Sequence, residues 1–539
     1  MSSCDAPIVE VKQGKLKGKI EKTYKGGSFY AFYGVPFAQP PIGNLRFKGP
    51  RPPLPWNGIR DALVEGNACR SRHMITNEFV GSEDCLYVNV FTQQLPPVPK
   101  LKPVLFYIHG GAFIQGSNSI DYYGGERFLT EDVVLVTTNY RLGAVGAIGF
   151  KNPELDAPGN CGLKDCIASL KWVKENIEKF GGDPTNITIF GESAGSALCH
   201  YLILVPAAKG LFNRAILQSG TVTCPWAFNP KSQPEILAKL LGYTGDANDE
   251  KSVYEFLLTV PIEKIAEKQE LMDSSIEGYE GGMLAWAPII EVTGCPSETT
   301  VLTQHPLEII KSGKFNHVPI VFGFNSEEGL LICGKIAPPA LASIISTTNY
   351  EDFCTGFGLK RGSPESIHLG NTIKQFYYGD KTPSKENYKP FVDYCSDILF
   401  VLQTIVAIKL HSALSNQPVY LYRFAIDLPF CKIKEMFGVP FPGCCHAEEL
   451  FYLFNSVQLP VPFDSESEKI VDSMVKIWTN FAITGDVNLP KPDSLLNYNW
   501  QPCKPNQFNF LSIDTKIETK NVLPETERIA FWENLLKLV

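Results

Sequence analysis

The segment from Phe180 to His200, FGGDPTNITIFGESAGSALCH, carries the most chemically pointed pattern in the chain. An apolar run, Ile187 to Phe190, meets Gly191-Glu192-Ser193-Ala194-Gly195, and a helical pattern follows. A G-x-S-x-G turn between strand and helix is so sharp that its serine must adopt a strained backbone. Side chains two residues to either side would collide, so both positions are glycine. Ser193 Oγ then stands clear at the start of a helix, and the N–H of Ala194 points into the same space. Such a serine is a candidate nucleophile that still needs a base.

Upstream, the apolar run Val104 to Ile108 ends in His109-Gly110-Gly111-Ala112-Phe113. Glycines there let backbone N–H groups approach a substrate closely. The N–H groups of Gly111, Ala112 and Ala194 together form a candidate oxyanion hole, a set of fixed donors for a negatively charged oxygen. Alanine at the third position of the loop keeps the donor and adds a methyl group that narrows the space. His109 reads as a residue that orients this loop.

A serine hydroxyl becomes nucleophilic when a histidine takes its proton. The chain has eight histidines. The order that accompanies this elbow is serine, then acid, then histidine, which removes His73 and His109. His200 lies two helical turns beyond Ser193 and cannot swing back to it. His446 is the strongest candidate, in the Gly- and Pro-rich loop after the apolar run Val419 to Tyr422. The acid should follow an earlier strand. Ile320 to Phe324 leads into Asn325-Ser326-Glu327-Glu328-Gly329, where Glu327 and Glu328 compete and the spacing alone does not choose. The rejected one is expected to be a solvated loop charge.

These residues need a scaffold that brings strand ends together. Short apolar runs at 104–108, 133–136, 187–190, 215–217, 320–322 and 419–422 are apolar on both faces, as central strands of a parallel sheet are. Helical patterns such as Ala168 to Ile177 lie between them. The alternation predicts an α/β fold: a large, mostly parallel central sheet with helices on both faces and lid-like insertions. No linker or repeat divides the chain, so residues 1–539 are read as one domain. The less regular stretch from about 225 to 315 is expected to cover a sheet edge and help roof the site. Val9 to Lys12, with Leu16 beyond a Gln13-Gly14 turn, reads as the first strand.

Composition narrows the partners. The 539 residues are 44% hydrophobic and carry a net charge of −8. A mildly acidic chain without a basic block argues against nucleic acid and anionic membrane surfaces. No run reaches the ~20 apolar residues that span a bilayer, and Ile398 to Leu410 reads as a buried helix. The N-terminal stretch lacks the apolar core of a secretion signal, so a cytoplasmic location is expected; a lipid-associated one stays open. The 15 cysteines show no zinc spacing. Most are read as small buried apolar residues.

With these motifs in view, the chain resembles the type-B carboxylesterase/cholinesterase family of α/β-hydrolases, the insect carboxylesterases above all. FGGDPTNITIFGESAGS resembles the family's nucleophile signature, and Ser82-Glu83-Asp84-Cys85-Leu86-Tyr87-Val88-Asn89-Val90 its second signature. Asn139 to Gly143, Pro158 to Asn160 and Gly162 to Asp165 also match, so the resemblance runs nearly end to end. It implies Glu328 as the acid, from Asn325 to Gly329, and supports His446, from His446-Ala447-Glu448-Glu449-Leu450. It further implies Arg46–Glu83 and Arg141–Asp165 as structural ion pairs. It puts Cys69 and Cys85 at the family's first disulfide positions, a bond that a reducing compartment would disfavour.

Departures from the family bear on substrate. Residues 69–85 contain no Trp, so the indole that holds choline in cholinesterases has no counterpart, and Leu330-Leu331-Ile332 lacks the choline-site aromatic. The expected substrate pocket comprises Trp226, Leu284, Trp286, Leu331 and Glu192, favouring neutral, apolar esters, with Glu192 adding negative potential. The resemblance thus implies a serine carboxylesterase acting on apolar or xenobiotic esters with no metal or organic cofactor. Organophosphates and carbamates are the expected inhibitors, and detoxification or insecticide resistance the expected setting. A homo-oligomer stays open. The alternative is a catalytically weak esterase-fold protein that binds or sequesters esters, since fold alone does not settle function.

Overall fold

The computed structural model of the chain describes residues 6–273, 275–334, 338–352, 359–428, 432–456, 465–488 and 496–537. In chain order, the first strands are β1 (Ile8–Val11), β2 (Gly14–Lys17), β3 (Lys19–Lys22), β4 (Ser28–Pro36), β5 (Ile59–Asp61), β6 (Ser71–Arg72), β7 (Phe79–Val80) and β8 (Tyr87–Thr92). Then come β9 (Lys102–Ile108), β10 (Val134–Thr138), β11 (Gly182–Glu192), β12 (Arg214–Gln218), β13 (Ile320–Asn325), β14 (Val419–Phe424), β15 (Phe510–Ile513) and β16 (Ile517–Lys520).

Eleven of these strands form one sheet in the order β16-β15-β14-β13-β12-β11-β9-β10-β8-β4-β3. From β10 to β15 every neighbouring pair is parallel. The two margins are antiparallel, β8, β4 and β3 at one end and β16 at the other. The six runs read as central strands all lie in this parallel block. Val104 to Ile108 is wholly buried, as a strand covered by helices on both faces must be. The antiparallel margins were not foreseen; the outermost strands β3 (KIEK) and β16 (IETK) are short, half-polar sequences that look like loops when read alone.

The hairpin at Gln13-Gly14 forms with Val9 opposite Leu16. It joins β5 in a separate three-stranded sheet and does not begin the main one.

Helices pack on the sheet through apolar stripes. Cys161–Asn176 buries Leu163, Cys166, Ile167, Leu170 and Val173, the spacing of one helical face. Residues Lys389–Leu414 are the one helix among those described that is long and apolar enough to cross a membrane, and 78% of its apolar window is buried inside the fold. It is a core helix, widened by a π-turn at Asp397–Val401.

The segment from 225 to 315 requires a correction. Its helices contribute Leu237, Val253 and Leu257, and a turn contributes Trp286, to a second apolar cluster, together with Phe47 and Phe150. Other residues of the segment, Trp226, Ala287, Leu302 and Ile310 among them, join the main core, and among the described residues none of the segment lines the cavity that holds Ser193. Its irregular sequence gave no periodicity from which to read that placement.

Three fastenings connect distant segments. Arg46 Nε lies 2.6 Å from Glu83, and Arg141 Nη2 lies 2.7 Å from Asp165, the latter pair almost entirely buried. Cys69 and Cys85 are joined by a disulfide, with Cα atoms 4.9 Å apart. Nine of the ten described free cysteines are buried.

Candidate active site

Parallel strands deliver their carboxyl ends to one edge of the sheet, where ligands bind in such folds. Ser193 follows β11 and caps the helix Ala194–Leu204. Its φ of 57° and ψ of −123° are those of a strained elbow. The flanking glycines are required by contact: a Cβ on Gly195 would lie 2.1 Å from the carbonyl oxygen of Ile108, and one on Gly191 would lie 2.6 Å from the carbonyl carbon of Gly195. The Ser193 N–H donates to Gln218 O at 2.8 Å, locking the elbow to the end of β12.

His446 lies in the loop after β14, 3% exposed. Its Nδ1 is 2.5 Å from Glu328 Oε2. Glu328 is fully buried and held from its other oxygen, which accepts Ser219 Oγ–H at 2.5 Å and Asn325 N–H at 2.7 Å. Glu328 therefore fixes the imidazole with Nδ1 inward and Nε2 outward. Glu192 Oε1 lies 2.9 Å from that Nε2. Ser193, Glu192 and His446 line one cavity. Burial disfavours the imidazolium, but Glu192 and then Glu328 outweigh it, so the His446 pKa is raised well above the ordinary imidazole value. Burial likewise pushes the Glu192 carboxyl up, opposed by His446.

Glu327 points elsewhere. Its carboxylate accepts the Cys444 N–H at 3.0 Å, and its own N–H donates to Cys444 O at 3.0 Å. It is thus an anchor for the loop bearing His446, where a solvated charge was expected.

The loop after β9 holds the other donors. Gly111, Ala112 and Phe113 all have positive φ, at 113°, 55° and 61°, which turns the chain back across the elbow. Gly111 and Ala112 line the same cavity as Ser193, and Ala194 opens a helix, where an N–H has no intrahelical partner. His109 is buried against Tyr140, with ring centroids 4.5 Å apart and Nδ1 2.8 Å from Gly110 O. Burial lowers its pKa to about 4; it is a loop-packing residue and no base. His200 is equally spoken for: it sits 2.8 Å from His411 and is fully buried.

Ser193 and His446 open into one cavity of about 130 Å³, walled mostly by Met74, Leu331, Met436, Phe437, Phe451 and Phe454. Leu331 and Glu192 line it as expected. Trp226, Leu284 and Trp286 do not. Trp226 stands behind Phe400, its indole N–H bound to Leu399 O at 2.9 Å, and Phe400 packs on the His446 ring at 4.6 Å. Trp286 belongs to the second cluster and donates to Gln269 O. Leu284 packs against the core, partly buried. An aromatic or aliphatic residue in a loop buries itself against whichever wall is nearest, and sequence does not say which. Ser219 escaped the sequence reading, and Glu449 entered it only as part of the segment that begins at His446, with no role of its own. The signal for Ser219 was its place just after β12, whose Gln218 pairs with Glu192. Among the described residues no group of three His, Cys, Asp or Glu side chains could hold a metal ion.

A parallel sheet with a strained serine between strand and helix, and a carboxylate-held histidine at neighbouring strand ends, defines an α/β-hydrolase. Comparison with known proteins carries this further. The carboxylesterase family model matches residues 5–532. Juvenile hormone esterase of Tribolium castaneum is 33% identical, covering 98% of this chain and 93% of that protein. Esterase B1 of Culex pipiens is 32% identical over 98% of both. The crystal structure of juvenile hormone esterase from Manduca sexta, with OTFP covalently attached, superposes with a TM-score of 0.85 at 27% identity, covering 99% of this chain and 100% of that one. The chain belongs to the carboxylesterase family and is a carboxylic ester hydrolase.

Proposed function

We propose that the chain hydrolyses neutral, apolar carboxylic esters through an acyl-Ser193 intermediate. Ser193 Oγ attacks the ester carbonyl carbon as His446 Nε2 takes its proton, and Glu328 steadies the imidazolium through Nδ1–H. The carbonyl oxygen becomes an oxyanion held by the N–H groups of Gly111, Ala112 and Ala194. The C–O bond to the alcohol breaks as His446 returns the proton to the leaving oxygen. Water then repeats the sequence on the acyl-enzyme and releases the acid.

The observation that carries this reading is convergence: a strained Ser193 and a Glu328-anchored His446 open into a single apolar cavity. Apolar walls with few polar groups favour substrates that bring no unpaired charge with them. Xenobiotic esters fit this description. Organophosphates and carbamates fit as inhibitors, since tetrahedral phosphorus resembles the intermediate that the site is built to hold.

The test is hydrolysis of p-nitrophenyl acetate, butyrate and octanoate by the native chain and by Ser193→Ala. Loss of turnover in the variant supports the reading, and equal turnover refutes it. A burst of p-nitrophenol followed by negligible steady-state release would favour sequestration over ordinary turnover.

A further inference from the structure

Glu449 lies three residues beyond His446 and is fully buried. Its Oε1 accepts the Gln218 side-chain amide at 3.1 Å and lies 3.5 Å from the Tyr422 hydroxyl, and its Oε2 accepts the Asn325 side-chain amide at 2.7 Å. Each of two partners also holds part of the site. Gln218 O receives the Ser193 N–H. The Asn325 N–H donates to Glu328, and its side-chain amide also donates to Cys445 O, the carbonyl just before His446, at 2.7 Å. One carboxylate thus ties the end of β12, the end of β13 and the His446 loop together.

We propose that Glu449 is a positioning residue: as an anion it fastens the supports of Ser193, Glu328 and His446 to one another and adds negative charge to the buried carboxylate group that includes Glu192 and Glu328, the two that bracket the imidazole. The inference rests on the esterase reading above.

The surroundings require a carboxylate. All three neighbours present donors, so an amide in its place would set an NH2 group against Asn325 or against Gln218 and Tyr422, leaving a buried donor unpaired. The titratable groups that act on it are Glu192 from β11, Glu328 from the turn after β13, Tyr422 from β14 and Tyr107 from β9, and its own segment carries His446 and Glu448. Burial, with Glu192 and then Glu328, pushes the Glu449 carboxyl up to about 7, against the stabilising amides of Asn325 and Gln218. It therefore changes charge in the range where a histidine base works.

The experiment measures kcat, KM and their pH dependence with p-nitrophenyl butyrate, and the rate of Ser193 labelling by a fluorophosphonate. It compares the native chain with Glu449→Gln, Glu449→Asp and Tyr422→Phe. In Glu449→Gln, kcat is expected to fall roughly ten- to a hundredfold, with KM within about twofold. The acid limb of the pH profile should move to lower pH, because removing buried negative charge makes the imidazolium easier to deprotonate. Glu449→Asp should restore the native profile while recovering only part of the rate. Native kcat and profile in Glu449→Gln would overturn the proposal; so would a loss of rate with an unmoved acid limb. If Glu449→Gln fails to fold, Tyr422→Phe decides: it removes one donor to the anion and should move the limb the same way by less, and an unmoved limb overturns the proposal. A native chain that neither labels nor turns over ester would sink the esterase reading itself, whereas an active native chain with indifferent variants sinks only this inference.

Discussion

Glu192 Oε1 stands 2.9 Å from His446 Nε2, on the side of the imidazole opposite Glu328. The residue before the nucleophile and the acid after β13 therefore bracket one ring between two carboxylates. Positive charge on the ring is favoured, which suits the moment of proton transfer and costs activity where the imidazole must start neutral.

Burial opposes the imidazolium, and Glu192 and Glu328 outweigh it, so the acid limb of kcat/KM should lie above the ordinary histidine value of ~6.5. Activity is then lost as pH falls through the raised pKa, because the protonated ring cannot accept the serine proton. Glu192→Gln removes one of the two carboxylates and should move this limb to lower pH. A pH–rate series on both proteins checks it, and an unmoved limb contradicts the bracketing account.

Ser219 Oγ–H donates to Glu328 Oε1 at 2.5 Å and touches neither Ser193 nor His446 by hydrogen bond among the described residues. Ser219→Ala leaves the Asn325 N–H to hold that oxygen alone. A hydrogen bond to a charged group contributes about 1.5 kcal/mol, roughly tenfold in rate. The expected result is a loss of that order in kcat with KM nearly constant. Steady-state kinetics will show it.

Gly195 has no room for a methyl group, since a Cβ there would lie 2.1 Å from Ile108 O. The obstacle is backbone, which cannot move aside cheaply. Gly195→Ala should displace the elbow, abolish most esterase activity and lower stability by about 1–3 kcal/mol. Thermal unfolding and fluorophosphonate labelling report the two effects separately.

Arg141 and Asp165 form a pair whose side chains are 2% and 0% exposed, and Arg141 also donates to the carbonyls of Arg46 and Lys48. Arg141→Ala would leave a carboxylate buried without its partner, a change that costs about 3–5 kcal/mol. Chemical denaturation should show a large drop in midpoint. An unchanged midpoint would mean that the pair is replaced by water or neighbouring donors.

The legible parts of the molecule were those written locally. Ser193 announces itself because strand, sharp turn and helix are contiguous, and the central strands do so because burial on both faces leaves an unbroken apolar run. Glu328 needed the family resemblance, since Glu327 beside it differs only in which way the turn points it. Trp226 and Trp286 show what stays hidden: each is a large aromatic near a Pro or Ala in a loop, and only the folded chain decides that one backs Phe400 and the other joins the second cluster. The roles of Ser219 and Glu449 were missed because their meaning lies in contacts across 109 and 124 residues of sequence.

The most direct measurement is mass spectrometry of the native chain after treatment with an organophosphate, with Ser193→Ala alongside. The account predicts one adduct, on the peptide containing Ser193, formed in step with loss of esterase activity and absent from the variant. Full inhibition with the adduct on another residue, or an unmodified Ser193 in an inactive enzyme, would contradict it.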